Sequence, residues 1–288
     1  MRLTNLHQLP DSIVRAITQT GYDGRTNDLY NISASDLISP LRKSLLEFRH
    51  DNEIIEDVSD NIWILFGNCI HYILGKQDEE SIIERRFEAF INDFTVTGKP
   101  DNYSPKTKTL IDYKVTSTYT LIYSPNGKQD WVEQMNVYVW LLRKNGYEVD
   151  ECKIVAILRD WQERESELKL DYPKVAIQQI HIPIWTKEKQ EKFIWDKLDQ
   201  RKIHMSLPDD KLPVCTPEER WATPTTWAFL KTVDSAKATR VLKTEEEANV
   251  FAKANPELMM VVRPGEDRRC QKYCSVNQFC YYWKGKYG

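Results

Sequence analysis

Two carboxylates and one lysine occupy distinctive positions in the segment from residue 94 to residue 117. Asp101 closes the first half of the segment, and Asp112 and Lys114 lie two positions apart in the second half. Both halves alternate polar and apolar residues, which predicts two β-strands joined by a polar turn. Because side chains alternate along a strand, Asp112 and Lys114 are expected on one face, with Asp101 across the turn from Asp112.

These three side chains have the types that metal-assisted hydrolysis of a phosphate ester requires. Carboxylate oxygens are the ligands that Mg²⁺ prefers, and a bound metal ion polarises a phosphoryl oxygen and lowers the pKa of a coordinated water. The ammonium of Lys114 is suited to orient that water or to neutralise developing negative charge. The alternative interpretation is that Asp101 is an ordinary turn residue and that Asp112 and Lys114 are a surface pair.

The spacing of apolar residues predicts an α/β fold around this segment. Residues 81–117 are interpreted as an antiparallel meander of three consecutive strands. Two further strands are predicted at 153–161 and 176–185, the first apolar enough to lie inside a sheet. Helices are predicted at 11–20, 37–50, 55–75, 130–145 and 186–205, with Pro40 in the first turn of the second helix.

The helix predicted at 55–75 carries His71 at the edge of an apolar stripe. The stripe is expected to be buried, and its members are Trp63, Gly67, Ile70 and Leu74. Cys69 and Cys152 lie in apolar periodic segments, so both are interpreted as buried free thiols.

Four other cysteines lie in the C-terminal part of the chain. Cys270, Cys274 and Cys280 are close enough in sequence for three thiols to face one point. Cys215 is the best candidate for a fourth ligand, and Cys69 is the alternative. Four thiolates suit either structural Zn²⁺ or an iron–sulfur cluster, and the spacing alone does not choose between them.

The composition changes at about residue 207, where a proline-rich stretch begins. We expect an N-terminal helical region at 1–54, a core at 55–206 and a cysteine-rich metal-binding module at 207–288. The module ends in basic residues interleaved with aromatic ones, a composition that suits single-stranded nucleic acid. The basic residues proposed for this contact are Arg268, Arg269 and Lys272. Alternatively, the aromatic residues wrap the metal site.

The bulk properties exclude little. A formal net charge of −3 over 288 residues gives no overall attraction to nucleic acid. No apolar run approaches the roughly 20 residues that span a bilayer, and the first residues lack the pattern of a signal peptide. We therefore expect a cytoplasmic protein with no membrane contact.

Three short motifs resemble those of a known enzyme family. The segments GKPD (98–101), IDYK (111–114) and QMNVY (134–138) are similar to the P-D, D-x-K and Q-x-x-x-Y signatures of the RecB-like branch of the PD-(D/E)XK nuclease superfamily. His71 and Glu84 match the upstream histidine and the first-strand acid of that family. The resemblance implies a restriction-endonuclease-like core, with a central mixed sheet flanked by helices.

The resemblance also implies roles for individual residues. The metal ligands for Mg²⁺ or Mn²⁺ would be His71, Asp101, Asp112 and the backbone carbonyl of Tyr113. The catalytic set would be Glu84, Asp101, Asp112, Lys114, Gln134 and Tyr138, with Gln134 and Tyr138 also near the nucleic-acid strand. Core packing is the alternative role for Tyr138, and an ion pair with Arg85 or Arg86 is the alternative for Glu84.

Several RecB-like nucleases, including CRISPR-associated exonucleases, hold a [4Fe–4S] cluster with three late cysteines and one distant one. The resemblance therefore implies such a cluster at Cys215, Cys270, Cys274 and Cys280. The distant cysteine of the family usually precedes the nuclease core, whereas Cys215 follows it, so Zn²⁺ remains the alternative.

These inferences predict a metal-dependent DNA nuclease, in the form of an exonuclease acting on DNA ends or single strands. A chain of this kind fits a prokaryotic cell or a phage-infected host, with DNA as partner and a possible protein partner in recombination or replication. One alternative is a non-catalytic nucleic-acid-binding subunit of a recombination or phage replication complex. The other is a zinc-stabilised protein-interaction domain.

Overall fold

The computed structural model describes residues 2–18, 28–75 and 80–288. The chain divides into two compact units, unit 1 at Met1–Leu207 and unit 2 at Pro208–Gly288. The separation of residues 1–54 from 55–206 stays a prediction. The last two residues of the helix predicted at 11–20 lie outside the described residues.

The elements of unit 1 are, in chain order, β1 (Arg2–Thr4), α1 (Asp11–Thr18), β2 (Asn31–Ser33), α2 (Ala34–Ile38), α3 (Leu41–Arg49), β3 (Ile55–Asp57), α4 (Ile62–Leu74), β4 (Ile82–Ile83), β5 (Phe87–Ile91), β6 (Phe94–Gly98), β7 (Asn102–Ser104), β8 (Thr109–Thr116), α5 (Thr118–Tyr123), α6 (Gln129–Lys144), β9 (Glu151–Leu158), α7 (Glu163–Leu168), β10 (Ile177–His181) and α8 (Lys187–His204). Those of unit 2 are β11 (Thr226–Leu230), β12 (Arg240–Leu242), α9 (Glu245–Ala254), β13 (Met259–Arg263), α10 (Arg268–Lys272) and α11 (Tyr281–Tyr287).

Unit 1 has a mixed α/β fold, as the sequence predicts. Its largest sheet has the strand order β10-β9-β8-β7-β4, in which β8 and β9 are parallel and the other pairs are antiparallel. Parallel neighbours cannot be joined by a tight turn, and α5 and α6 supply the crossover between them. The strand predicted as interior is β9, and it lies inside the sheet with alternating buried residues.

The prediction of one three-strand meander at 81–117 is wrong, because five strands in two sheets occupy this region. β5 and β6 pair with each other, and β6 pairs with β2, whereas β4, β7 and β8 belong to the five-stranded sheet. The chain leaves β6 after Gly98 and passes through Pro100, which has no N–H for a ladder hydrogen bond. β7 then pairs with β8 in a register that sets Asn102 opposite Ile111. That register places Asp101 beside Asp112.

Helix α6 packs along the core of unit 1 and ties three segments together. Asn136 on its buried face donates to the carbonyl of Pro183 at 3.1 Å and accepts from the N–H of Trp185 at 2.8 Å. The amide of Gln190 in α8 donates to the same Asn136 oxygen at 3.2 Å. A buried amide with this many partners fixes the helix against its neighbours.

Pro40 divides the helix that the sequence predicts at 37–50. α2 ends at Ile38 and α3 begins at Leu41, so Pro40 is the residue before the second helix and not part of a first turn. Ser39 has an extended backbone with a ψ of 151°. The ring of a proline disfavours helical geometry at the residue before it, which explains the break.

The prediction that the stripe on α4 is buried is wrong. None of its thirteen residues is buried, and the side chain of Trp63 is 50% exposed. Cys69 on this helix is also exposed, contrary to prediction, whereas Cys152 is buried as predicted. α4 is apolar on nearly every side, so periodicity does not identify which face packs. None of the described helices has both the length and the apolar character needed to cross a membrane.

Unit 2 is built on an antiparallel sheet with the order β12-β11-β13. α9 covers it, with the ring of Phe251 packed edge-on against Phe229 at 4.7 Å between centroids. Asp267 is buried, and it accepts hydrogen bonds from Arg220, Tyr282, Tyr287 and Lys286. Burial alone would raise the pKa of Asp267, but these hydrogen bonds hold it below its usual range.

We predict that Gly98→Ala destabilises unit 1 by about 1–3 kcal/mol. A Cβ at this position would lie 2.6 Å from Leu141 Cδ1 and 2.9 Å from the ring of Tyr138, so α6 would have to shift. Chemical denaturation measures the change. Gly67→Ala is the control, because its Cβ would meet nothing within 4 Å. Equal stability of wild type and Gly98→Ala would contradict the packing of α6 on β6.

Candidate active site

Asp112 places a carboxylate in the interior of unit 1, on the middle strand of the five-stranded sheet. Its residue surface is 2% exposed. Burial raises the pKa of Asp112 to about 6, against the opposing effect of the Lys114 ammonium, which lies 2.8 Å from Oδ2. Despite that ion-pair contact, no donor among the described residues reaches Oδ2 in hydrogen-bond geometry. A buried carboxylate oxygen in this state is costly unless a cation compensates it.

Lys114 is held in place by the helix that follows its strand. Its Nζ donates to Gln134 Oε1 at 2.9 Å, and Gln134 Nε2 donates to the hydroxyl of Tyr138 at 3.1 Å. Burial would lower the pKa of Lys114, but the charges of Asp112 and Asp101 raise it above its ordinary value. The lysine is therefore a fixed cation, positioned by the two residues of the Q-x-x-x-Y motif.

Asp101 lies beside Asp112 and joins the strand segment to α4. Its Oδ2 accepts a hydrogen bond from the N–H of Tyr113 at 2.8 Å, and its Oδ1 lies 3.3 Å from His71 Nδ1. The hydrogen bond with Asp101 raises the pKa of His71. The His71 ring also lies edge-on to the Tyr113 ring, with 6.4 Å between centroids. These contacts fix His71 over the strand that carries Asp112.

Glu84 joins the cluster through a strained backbone. Its φ of 47° lies in the left-handed region, and its N–H donates to the carbonyl of Asp101 at 3.2 Å. Glu84 Oε1 lies 3.8 Å from His71 Nδ1, and Lys99 Nζ donates to Glu84 Oε2 at 2.8 Å. Its ion-pair partner is thus Lys99, whereas Arg85 donates to the hydroxyl of Tyr147.

The structure therefore gathers the side chains of seven residues that the sequence singles out: His71, Glu84, Asp101, Asp112, Lys114, Gln134 and Tyr138. Sequence reasoning missed Lys99, although it lies inside the GKPD motif. It also missed the effect of Asp130, whose charge helps to raise the pKa of Lys114. The role of the Tyr113 carbonyl stays a prediction.

Within the described residues, no group of three or more His, Cys, Asp or Glu side chains is arranged to hold a metal ion. The acids of the cluster instead face protein partners: Asp101 faces His71 and the Tyr113 N–H, and Asp112 faces Lys114. The buried Asp112 oxygen without a hydrogen bond and the adjacent Asp101 carboxylate nevertheless fit a hard divalent cation. The ligand set would form when the ion displaces these contacts.

The four C-terminal cysteines all lie in unit 2 and influence one another electrostatically. Burial, then the charges of Glu219 and of the three other thiols, raise the pKa of Cys215 to about 12. Burial and the neighbouring thiols Cys274 and Cys280 raise that of Cys270 to about 11. Crowded thiols of this kind become thiolates only when positive charge is supplied, as a metal does. The described residues include all four cysteines and contain no group of three or more cysteines arranged to hold a metal ion, so the metal at these cysteines stays a prediction.

Some of the basic and aromatic residues near the end of the chain make contacts within unit 2. The guanidinium of Arg269 lies over the Trp221 ring at 5.1 Å and donates to the carbonyl of Glu219 at 3.3 Å. Arg268 and Lys272 are exposed. The hydroxyl of Tyr282 is committed to Asp267, whereas the side chain of Tyr273 is largely exposed. Whether the aromatic residues contact nucleic acid or wrap a metal site stays a prediction.

No family model matches the chain, and no curated protein matches it. A protein designated SSO0001 has a crystal structure that matches with a TM-score of 0.44 at 15% identity, over 65% of this chain and 83% of that one. A phage-related exonuclease from Haemophilus somnus 129PT matches with a TM-score of 0.43 at 18% identity, over 62% and 96%. An alkaline exonuclease from Laribacter hongkongensis matches with a TM-score of 0.38 at 15% identity, over 62% and 90%. Likeness at this level carries no conclusion about activity.

We predict that Mn²⁺ binds unit 1 through Asp112 and Asp101. At a concentration of 100 times its dissociation constant, Mn²⁺ should stabilise the wild type by about 2.7 kcal/mol. Asp112→Asn should abolish this stabilisation, since an amide oxygen lacks the charge that holds the ion. Thermal denaturation with and without Mn²⁺ measures the effect.

The control for this experiment is Asp93→Asn. Asp93 is an exposed acid that pairs with Lys202 on the surface of the same unit. Its variant should bind Mn²⁺ as the wild type does. Equal stabilisation of Asp112→Asn and the wild type would remove Asp112 from the metal site.

Proposed function

We propose that this chain is a metal-dependent deoxyribonuclease of the PD-(D/E)XK type. The observation that carries the proposal is the buried carboxylate of Asp112, placed beside Asp101 and 2.8 Å from a lysine that Gln134 fixes. Burying a carboxylate and an ammonium together costs desolvation energy and is weak evidence of a stabilising role. Perturbed, partly unsatisfied groups of this kind are typical of catalytic sites.

Each residue of the cluster has a distinct task in the proposed reaction. Asp101 and Asp112 hold Mg²⁺ or Mn²⁺, with His71 and the Tyr113 carbonyl as further ligands. The bound ion supplies Lewis-acid activation of the phosphoryl oxygen and of a water. Lys114 orients the attacking water or offsets the charge that develops on the phosphate. Its position depends on Gln134, whose amide is held in turn by Tyr138.

Glu84 lies at the edge of the cluster and is more exposed than the two aspartates. Its carboxylate bridges Lys99 and the side of His71 that faces Asp101. We propose that Glu84 holds the His71 ring in the orientation that it needs as a metal ligand. The left-handed backbone of Glu84 favours this assignment, because strain at a residue of this kind is retained where a site requires its geometry.

The proposed substrate is DNA with a free end or a single strand, cleaved as by an exonuclease. The motif resemblance supports this choice of substrate, as do the aromatic and basic residues of unit 2. Arg268 and Lys272 are exposed, and cationic side chains of this kind bind phosphates.

We predict that Asp112→Asn and Lys114→Met each lower DNA hydrolysis at least about 100-fold, since each removes an interaction with the charged transition state. The assay is a time course in Mn²⁺ on end-labelled linear and circular DNA, single- and double-stranded. Cleavage of linear but not of circular DNA by the wild type would identify exonuclease action.

A matched pair on the same unit provides the control. Asp93 and Lys202 form a surface ion pair at 2.6 Å with both side chains more than half exposed. Asp93→Asn and Lys202→Met should therefore cleave DNA at the wild-type rate. Wild-type rates in Asp112→Asn or Lys114→Met would exclude the mechanism.

The second candidate is a non-catalytic nucleic-acid-binding subunit. It is favoured by the contacts that Asp101 makes with His71 and the Tyr113 N–H and that Asp112 makes with Lys114, because these acids already have protein partners. A wild-type chain that binds DNA with a steep salt dependence, yet never cleaves it in Mg²⁺ or Mn²⁺, would establish this candidate.

We further propose that Cys215, Cys270, Cys274 and Cys280 hold a [4Fe–4S] cluster, with Zn²⁺ as the alternative. Protein purified without oxygen is predicted to contain about four iron atoms per chain and to absorb broadly in visible light. Cys270→Ser should lose both signals. Cys152→Ser is the control and should keep them, because Cys152 is buried in the hydrophobic core of unit 1. Cys69→Ser tests the alternative fourth ligand, and loss of both signals in that variant would assign the position to Cys69. Zinc without iron would establish the alternative, and neither metal would contradict the site.

A further inference from the structure

Two helices of unit 1, α4 and α5, carry pairs of exposed aromatic side chains. Trp63 and Phe66 on α4 are each about half exposed, and their rings lie 5.7 Å apart. Tyr119 and Tyr123 on α5 are 63% and 80% exposed. With Arg159, these four residues are called the aromatic surface below. Large apolar rings left in water on neighbouring elements mark a binding surface.

Arg159 joins the two halves of the aromatic surface. Its guanidinium lies 3.8 Å from the centre of the Trp63 ring. Its backbone N–H donates to the carbonyl of Thr116, the last residue of β8, at 3.0 Å. The next residue, Asp160, accepts a hydrogen bond from the N–H of Thr118 at the start of α5, at 2.7 Å. Trp63 thus contacts the side chain of Arg159, whose backbone borders the end of β8, where α5 begins.

The aromatic surface lies on elements that carry or adjoin residues of the candidate active site. Thr116 is two residues beyond Lys114 on the same strand, about 7 Å away at the rise of a β-strand. Along α4, Trp63 precedes His71 by eight residues, about 12 Å at the helical rise. A strand of stacked bases advances roughly 3.4 Å per nucleotide, so this distance suits three or four nucleotides.

The chemistry of the aromatic surface suits unpaired bases and their phosphates. The rings of Tyr119 and Tyr123 are nearly parallel, with an interplanar angle of 15°, and offer flat faces one helical turn apart. Arg159 has no ion-pair partner among the described residues, so its charge is available to a phosphate while it also stacks on Trp63. In duplex DNA the base faces are already stacked on one another, so only a single strand can use these rings.

We propose that the aromatic surface binds the single-stranded segment of a nucleic acid next to the phosphodiester that enters the Asp101–Asp112 site. This inference deepens the proposed nuclease function and rests on it. It assigns the substrate class to a single strand of several nucleotides, stacked on Tyr119, Tyr123 and Trp63, with a phosphate at Arg159.

The binding test uses the full-length chain and a fluorescein-labelled 20-nucleotide oligothymidylate without divalent metal, so that nothing is cleaved. Fluorescence anisotropy should show that Trp63→Ala and the double variant Tyr119→Ala/Tyr123→Ala each bind roughly 5- to 100-fold more weakly than the wild type. An abasic chain of the same length should bind the wild type and these variants with equal, weak affinity.

Matched controls separate stacking from general surface effects. Trp195→Ala removes a comparably exposed tryptophan from α8, and Phe90→Ala removes an exposed ring from β5. Both should bind oligothymidylate like the wild type. The conservative variant Tyr119→Phe/Tyr123→Phe keeps the ring faces and should also retain wild-type affinity.

Hydrolysis assays keep this inference distinct from the proposed function. Bis(p-nitrophenyl) phosphate reaches the metal site without reaching the aromatic surface, so the surface variants should hydrolyse it at the wild-type rate and lose activity only on oligonucleotides. If the wild type hydrolyses neither substrate, the proposed function fails, and the anisotropy results still decide the aromatic surface. Wild-type oligonucleotide affinity in both surface variants would overturn the inference. So would a dimer of this chain that Trp63→Ala dissociates without any change in oligonucleotide binding.

Discussion

The buried carboxylate of Asp112 is the constraint on which unit 1 depends. A charge at 2% exposure requires compensation. The described part of the chain supplies an ammonium at 2.8 Å from Oδ2 and no donor in hydrogen-bond geometry to that oxygen. The remaining elements serve this arrangement. β7 and β9 flank β8 on its two sides, and α6 fixes the lysine through Gln134. The result is an acid with a raised pKa, held on the middle strand of the sheet.

Asp267 in unit 2 is an instructive contrast, since it is equally buried. Four side chains donate hydrogen bonds to its carboxylate, and they hold its pKa below the usual range. A carboxylate satisfied in this way is a structural centre, which links α10, α11 and the Arg220 segment. Asp112 has the same burial but an unsatisfied oxygen and a raised pKa. The pattern of donors, and not burial, separates the structural acid from the candidate catalytic one.

The helices around the candidate site pack against neighbouring elements and also hold side chains of the site. α6 packs Tyr138 against Gly98 and uses the hydroxyl of the same tyrosine to hold Gln134. Core packing and site support, which are alternatives for Tyr138 from the sequence, are therefore both satisfied by one side chain. Helix α4 differs from α6, because it holds His71 over β8 but leaves the side chain of Trp63 half exposed.

The sequence by itself determined the α/β class, the helix predicted at 186–205, which is Lys187–His204 in the structure, and the side-by-side placement of Asp112 and Lys114. These depend on local periodicity and capping, which short segments encode. Only the tertiary structure decided that residues 81–117 divide between two sheets, that α4 stays exposed, and that Lys99 pairs with Glu84. Strand pairing and burial depend on which distant segments arrive beside an element. The sequence pattern of an apolar helix such as α4 is the same whether or not a neighbouring element covers it.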